Sequence, residues 1–130
     1  MRALVQQREE RLQEPAVARK VLVVDDEPMV LDVIAQMLED LGCEVVMTTN
    51  PRVALDLLAG DERLEILITD INMPEMSGYE LAEKAQRARK NLGVIVLSGR
   101  ETEPHGFPMI RKPFLQEDLA RTMEHTTGLC

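Results

Sequence analysis

Asp25, Asp26, Asp70, Ser98 and Lys112 are far apart in the sequence, yet each ends or closely follows a short apolar run. VLVV precedes Asp25-Asp26, LEILIT precedes Asp70, VIVL precedes Ser98, and FPMI lies one arginine before Lys112. Apolar residues that carry straight into Asp25, Asp26 and Glu27 crowd carboxylates, which repel one another and lose solvation. Clustered carboxylates with loop carbonyls nearby suit a hard divalent cation that takes oxygen ligands, and Mg²⁺ is the expected one. The metal offsets the repulsion. Without it, neighbouring like charges should raise the pKa of one acid. A carboxylate beside Mg²⁺ also attacks phosphorus and forms an aspartyl phosphate. Lys112 and the Ser98 hydroxyl would then meet the phosphoryl oxygens.

These side chains meet only if the elements behind them converge. Residues 21–24 are apolar without alternation and mostly β-branched, the pattern of a strand buried on both faces. Residues 28–41 then carry Val30, Val33/Ile34, Met37/Leu38 and Leu41 at helical spacing, opened by Pro28 and stopped by Gly42. A strand over 45–48, a helix from Asn50-Pro51 to Leu58 and a strand over 64–69 follow. After the NMPEMSG loop, a helix runs from Ser77 or Gly78 to about Lys90, with Leu81, Ala82, Ala85 and Ala88 inward. A strand over 94–97, a short strand over 107–110 and a helix over 115–126 with Leu119, Ala120 and Met123 inward complete the chain. Strand–helix alternation with short links gives a parallel α/β sheet covered on both faces. In such sheets the ligand site lies beyond the carboxyl ends of the strands, where these five residues stand.

The quoted pieces VVDDEP, LITDINMPEMSGYEL, VIVLSGR and RKPF resemble the receiver domain of two-component response regulators. They occur in family order, each at an expected strand end, over about residues 20–126. The resemblance implies a flavodoxin-like, doubly wound sheet of five parallel strands in the order 2-1-3-4-5. It implies that Asp70 accepts a phosphoryl group from a histidine kinase or phosphotransfer protein. Asp26 would bind Mg²⁺ directly, Asp25 would hold a metal-bound water, and Asn72 would lend its backbone carbonyl. Ser98 and Lys112 would serve the phosphoryl group, with Lys112-Pro113 in the cis form. The incoming donor would dock beside the first helix, with Met29, Val30 and Met37 as contacts.

The sequence also departs from the family. Only the eight residues GRETEPHG separate Ser98 from the fifth strand. An ordinary helix needs about 11 residues, so the helix that receivers place there should be short or missing, and the segment is a candidate order–disorder switch. Where receivers carry a switch aromatic, three places before Lys112, this chain has Met109. Phe107 lies two residues earlier, on the same face by strand alternation. With that helix reduced, the fifth strand needs other cover: loop residues, the N-terminal arm or a second copy of the chain.

Composition excludes other classes. The 130 residues suit one domain, read as a flexible arm over 1–19 and a receiver over 20–130. Net charge is -8 and aromatics make up 2%, a poor basis for nucleic-acid or anionic-membrane binding. The core is expected to be aliphatic and rich in methionine. Cys43 and Cys130 form no metal-ligand spacing and read as free thiols of a cytoplasmic protein. There is no apolar secretory segment and no run near the roughly 18 residues of a membrane span. An Asp-nucleophile phosphatase is the competing enzyme class, but it needs an acid/base two residues after the nucleophile, where Asn72 stands. A degenerate receiver that only binds partners is disfavoured by the intact set of five. The expectation is a non-enzymatic phosphoacceptor, free-standing or a module of a hybrid sensor kinase.

Overall fold

The strand pattern in the sequence becomes a single sheet in the computed structural model, which describes residues 19–99 and 106–127. The strands are β1 (Lys20–Val24), β2 (Glu44–Thr48), β3 (Leu64–Asp70), β4 (Gly93–Ser98) and β5 (Met109–Arg111). Four helices lie among the described residues: α1 (Pro28–Asp40), α2 (Pro51–Gly60), α3 (Gly78–Ala88) and α4 (Gln116–Thr127). The sheet order is β2-β1-β3-β4-β5, and every pairing is parallel. Alternation along the strands divides the core in two. Leu22, Val24, Leu67, Val94 and Val96 meet Ala54, Leu58, Leu81, Ala82 and Ala85 of α2 and α3. Val21, Val23, Ile66, Ile68, Ile95 and Leu97 meet Leu31, Ile34, Leu38, Leu119 and Met123 of α1 and α4.

Local chemistry starts each helix where the site needs it. Pro28 occupies the first turn of α1, directly after the acidic run. The Asn50 side chain accepts from the Arg52 N–H at 2.8 Å, and the Ser77 hydroxyl accepts from the Glu80 N–H at 3.1 Å. Gly42 ends α1 with φ +91°, a left-handed turn that suits glycine.

Several expectations need correction. The fifth strand begins at Met109, not Phe107, because Pro108 has no N–H to give a ladder, and Gly106 just before it turns at φ +81°. Phe107 therefore precedes the strand. Ala88 ends α3 exposed, since the helix stops there and the chain leaves the sheet. Ala120 is half-buried. The buried stripe of α1 is Leu31, Ile34, Ala35 and Leu38, which leaves Val33 and Leu41 exposed. The core is aliphatic but not methionine-rich: Met76 and Met123 are buried, while Met29, Met47 and Met109 stand in solvent. Of the arm over 1–19, residues 1–18 lie outside the described residues, as do residues 100–105 of the GRETEPHG segment.

Candidate functional site

The carboxyl ends of β1, β3 and β4 and the link after β5 converge on one rim. Parallel register sets the levels: Val24 pairs with Thr69, and Asp70 pairs with Leu97. Asp25, immediately beyond the first pair, comes to the level of Asp70, and Ser98 lies one residue further out on β4. Each of Asp25, Asp26 and Asp70 offers a carboxylate oxygen, and the three oxygens lie within 4.8 Å of one another. Asp25 is fully buried, Asp70 is 6% exposed and Asp26 faces solvent.

Lys112 closes the cluster. Its Nζ donates to Asp70 Oδ1 at 3.1 Å and to Asp25 Oδ2 at 3.3 Å. It is aimed by its own backbone, because the Lys112 N–H donates to the Ser98 carbonyl at 2.7 Å. The following Lys112-Pro113 bond is cis, as the family resemblance implies. Asp25 is held from the other side, with the Glu27 N–H donating to its Oδ1 at 3.0 Å. Both oxygens of Asp25 thus have a protein donor.

Electrostatics follow from burial and company. Burial pushes the Asp70 carboxyl above its ordinary range; the Lys112 ammonium opposes this, and the charges of Asp25 and Asp26 add to it. The upward shift expected from like charges is therefore present, but desolvation is its larger cause. Burial alone would lower the Lys112 ammonium, and its bonds to Asp70 and Asp25 more than compensate, so its pKa lies above the usual lysine value. The cluster is poised for one more cation: three acids face one ammonium.

Ser98 is fully buried at the end of β4, one residue past the Leu97 partner of Asp70. Asn72 lies in the exposed loop two residues after Asp70. The structure thus brings Asp25, Asp26, Asp70 and Lys112 into one cluster, with Ser98 and Asn72 at its margins. Three supporting groups escape a reading of the sequence. The Glu27 N–H that holds Asp25 is a backbone group and leaves no residue signature. The Thr69 hydroxyl donates to the Asp70 carbonyl at 2.9 Å. Gly78, which reads in sequence only as a helix opening, sends its N–H to the Ile71 carbonyl at 2.8 Å.

Beside Lys112 lies an apolar groove of about 570 Å³ lined by Met29, Val30, Val33, Ile34, Met37, Lys112, Pro113 and Phe114. Met29 is 79% exposed at its mouth. With Val33, which is 55% exposed, it leaves apolar surface beside the charged cluster. No helix among the described residues is long and apolar enough to cross a membrane.

The family model for the response regulator receiver domain matches residues 21–124. Response regulator SaeR of Staphylococcus aureus is 32% identical over 83 residues, which is 64% of this chain and 36% of SaeR. The chain therefore aligns with about a third of that curated relative. A CheY-like receiver domain protein from Methanospirillum hungatei is 27% identical, with a TM-score of 0.78 over 85% of this chain and 94% of that one. The chemotaxis protein CheY4 of Vibrio cholerae is 28% identical, with a TM-score of 0.75 over 84% and 98%. The receiver domain of the sensor histidine kinase PA1611 from Pseudomonas aeruginosa shares the fold at 24% identity and a TM-score of 0.75, covering 85% of this chain and 98% of that one; its structure holds a magnesium ion coordinated in the active site cleft.

Proposed function

The chain belongs to the response regulator receiver domain family of two-component signalling, and from that premise we propose that it takes a phosphoryl group from a histidine kinase or phosphotransfer protein onto Asp70, with Mg²⁺. The observation that carries the reading is the cluster of Asp25, Asp26 and Asp70 oxygens within 4.8 Å, with Lys112 donating to two of the three acids.

The donor set fits Mg²⁺. All its side-chain ligands are carboxylate oxygens, there is no sulfur or imidazole among them, and Asp26 opens to water, which Mg²⁺ keeps in its shell. The magnesium ion in the active site cleft of the PA1611 receiver points the same way. Asp26 and Asp70 would hold the metal directly with the backbone carbonyl of Asn72. Asp25, whose two oxygens are already engaged, would act through a bound water. Bound there, Mg²⁺ supplies positive charge against the acids and the incoming phosphoryl oxygens.

The chain's own residues do the rest. An Asp70 carboxylate oxygen attacks phosphorus in line with the donor histidine nitrogen; the O–P bond forms as the P–N bond breaks, and the imidazole keeps the electron pair. Burial disfavours the Asp70 anion, and the Lys112 ammonium beside it favours that nucleophilic form. As charge moves onto the phosphoryl group, the Lys112 ammonium meets one of its oxygens, and the Ser98 hydroxyl donates to another. The donor protein lays apolar side chains into the groove of Met29, Val30, Met37 and Phe114, which brings its phosphohistidine to the rim. The module works in the cytoplasm as a signalling element, not as a hydrolase of external phosphoesters: Asn72 cannot shuttle the proton such turnover needs.

Acetyl phosphate with Mg²⁺ tests the assignment without a kinase. Labelling is expected at Asp70 and should be abolished in Asp70→Asn. Stable label in that variant, mapped to another residue, would refute it.

A further inference from the structure

Gly78 stands apart among the described glycines. A Cβ built on it would lie 2.1 Å from the Asp70 carbonyl oxygen, 2.8 Å from the Asp70 carbonyl carbon and 2.8 Å from the Ile71 Cα. All three obstacles are main chain, which cannot swing aside as a side-chain tip can. At Gly93 the only close atom is the tip of Thr126, and at Gly42, Gly60 and Gly99 there is nothing within 4 Å. Gly78 φ is not in the left-handed region, so conformational freedom does not explain glycine here. Close approach does.

The approach closes a loop. The Gly78 N–H donates to the Ile71 carbonyl at 2.8 Å, so residues 71–78 return on themselves directly over the end of β3. The near side of this neck is fixed. The Ile71 N–H donates to the Leu97 carbonyl at 3.1 Å, Asp70 pairs with Leu97, and the Thr69 hydroxyl holds the Asp70 carbonyl at 2.9 Å. Any atom added at Gly78 must therefore displace the loop, and Asn72 is the first loop residue past the neck.

We propose that Gly78 is a positioning residue: its bare Cα lets the 71–78 loop close on Asp70 and so places the Asn72 carbonyl against the Asp70 carboxylate for the metal. This rests on the receiver reading above. It places one determinant of Mg²⁺ affinity eight residues from Asp70, on a residue that offers no ligand of its own.

The test is Mg²⁺ affinity of the full chain by calorimetry, with folding of each variant followed by circular dichroism. Gly78→Ala is expected to bind Mg²⁺ at least tenfold more weakly than wild type. Ser77→Ala is the control: it removes the bond to the Glu80 N–H and loosens the same helix start, yet adds no atom at the neck. It should lose stability and keep wild-type Mg²⁺ affinity. A folded Gly78→Ala with wild-type affinity overturns the inference, as does an equal loss in Ser77→Ala. Should Gly78→Ala not fold, hydrogen exchange of the wild type decides. Mg²⁺ is expected to slow exchange at the Gly78 amide several-fold relative to the Arg52 amide at the start of α2, and an unchanged ratio overturns the inference. A wild type that binds no Mg²⁺ brings down the receiver reading itself, and this inference with it.

Discussion

On the proposed function, Lys112 and Mg²⁺ share the carboxylates of Asp25 and Asp70, and replacing Lys112 with methionine separates two effects of opposite sign. Methionine keeps the length and apolar stem that line the groove beside Pro113 and Phe114 and removes only the charge. In the metal-free protein, the lysine makes two charge-assisted contacts, at 3.1 and 3.3 Å, to carboxylates that are buried or nearly so. The Lys112 side chain is 26% exposed, so solvent screens part of this. Each contact is then worth about 1–1.5 kcal/mol, toward the low end for hydrogen bonds to charged groups. Removing both leaves Asp25 and Asp70 without a counterion, and the apo protein should lose about 2–3 kcal/mol. For a domain of this size that is a fall in Tm of roughly 10 °C. Mg²⁺ binding should move the other way. In wild type the ion meets a site whose Asp70 and Asp25 charges are already partly neutralised by the ammonium, and in the variant they are not. A saving of about 1.4 kcal/mol is a tenfold gain in affinity. A thermal melt across a Mg²⁺ titration reads both at once. Lys112→Met should melt lower without metal and climb more steeply with it. Unchanged or weaker Mg²⁺ affinity in a variant with the expected apo loss would show that the lysine and the metal do not share oxygens.

Asp26→Ala should remove most of the Mg²⁺-dependent rise in Tm, because it deletes the solvent-facing ligand of the cluster; an equal rise would place the metal elsewhere. Met29→Glu should slow phosphotransfer from the cognate kinase at least tenfold while leaving labelling by acetyl phosphate unchanged, since it touches the groove and not the acids; equal slowing of both would defeat the docking role. Arg89 sends its guanidinium to the carbonyls of Leu58, Asp61, Glu62 and Leu64 at 2.7–3.1 Å, joining the end of α2 to the start of β3. Arg89→Ala should cost about 2–3 kcal/mol in urea unfolding with Mg²⁺ affinity intact. Arg89→Lys should recover only part, because an ammonium cannot fork to four carbonyls. Full recovery by lysine would assign the effect to charge alone.

The sheet could be read from the sequence because its central strands are buried on both faces. A run such as Val21–Val24 admits few other roles, and the acids after it mark where the strand ends. The meeting of Asp25, Asp26, Asp70 and Lys112 followed from parallel topology, which brings every carboxyl end to one rim. What escaped depended on distance in space. Helical spacing in α1 included Val33 and Leu41, and only the direction of the sheet shows that Leu31 and Ala35 point inward instead. Methionine tolerates core and surface alike, so its abundance said little about where it would sit. Arg89 reads as one more charged helix residue, because its four carbonyl partners lie 25 to 31 positions away. The start of β5 was misplaced by two residues because the apolar character of Phe107 outweighed the missing donor at Pro108.

The short β5 bears on how a change at the site would leave it. β5 has three residues, and its two faces are held differently. Ile110 is buried against the α1 and α4 cluster, while Met109 on the other face is 36% exposed. Phe107, just before the strand, packs against the cluster containing Val94 and Val96. The strand is pinned at both ends to β4: Val96 N–H to the Pro108 carbonyl at 2.9 Å, and Lys112 N–H to the Ser98 carbonyl at 2.7 Å. A shift of Ser98 toward a phosphoryl group therefore pulls on Lys112 through main chain, and Lys112 is only four residues from Pro108. Helix α3 packs on the far side of the same cluster and would feel the change through Val94 and Val96. On the proposed function, Phe107 is placed to carry the state of Asp70 toward α3, because it packs on the cluster that α3 shares, whereas Met109 is 36% exposed.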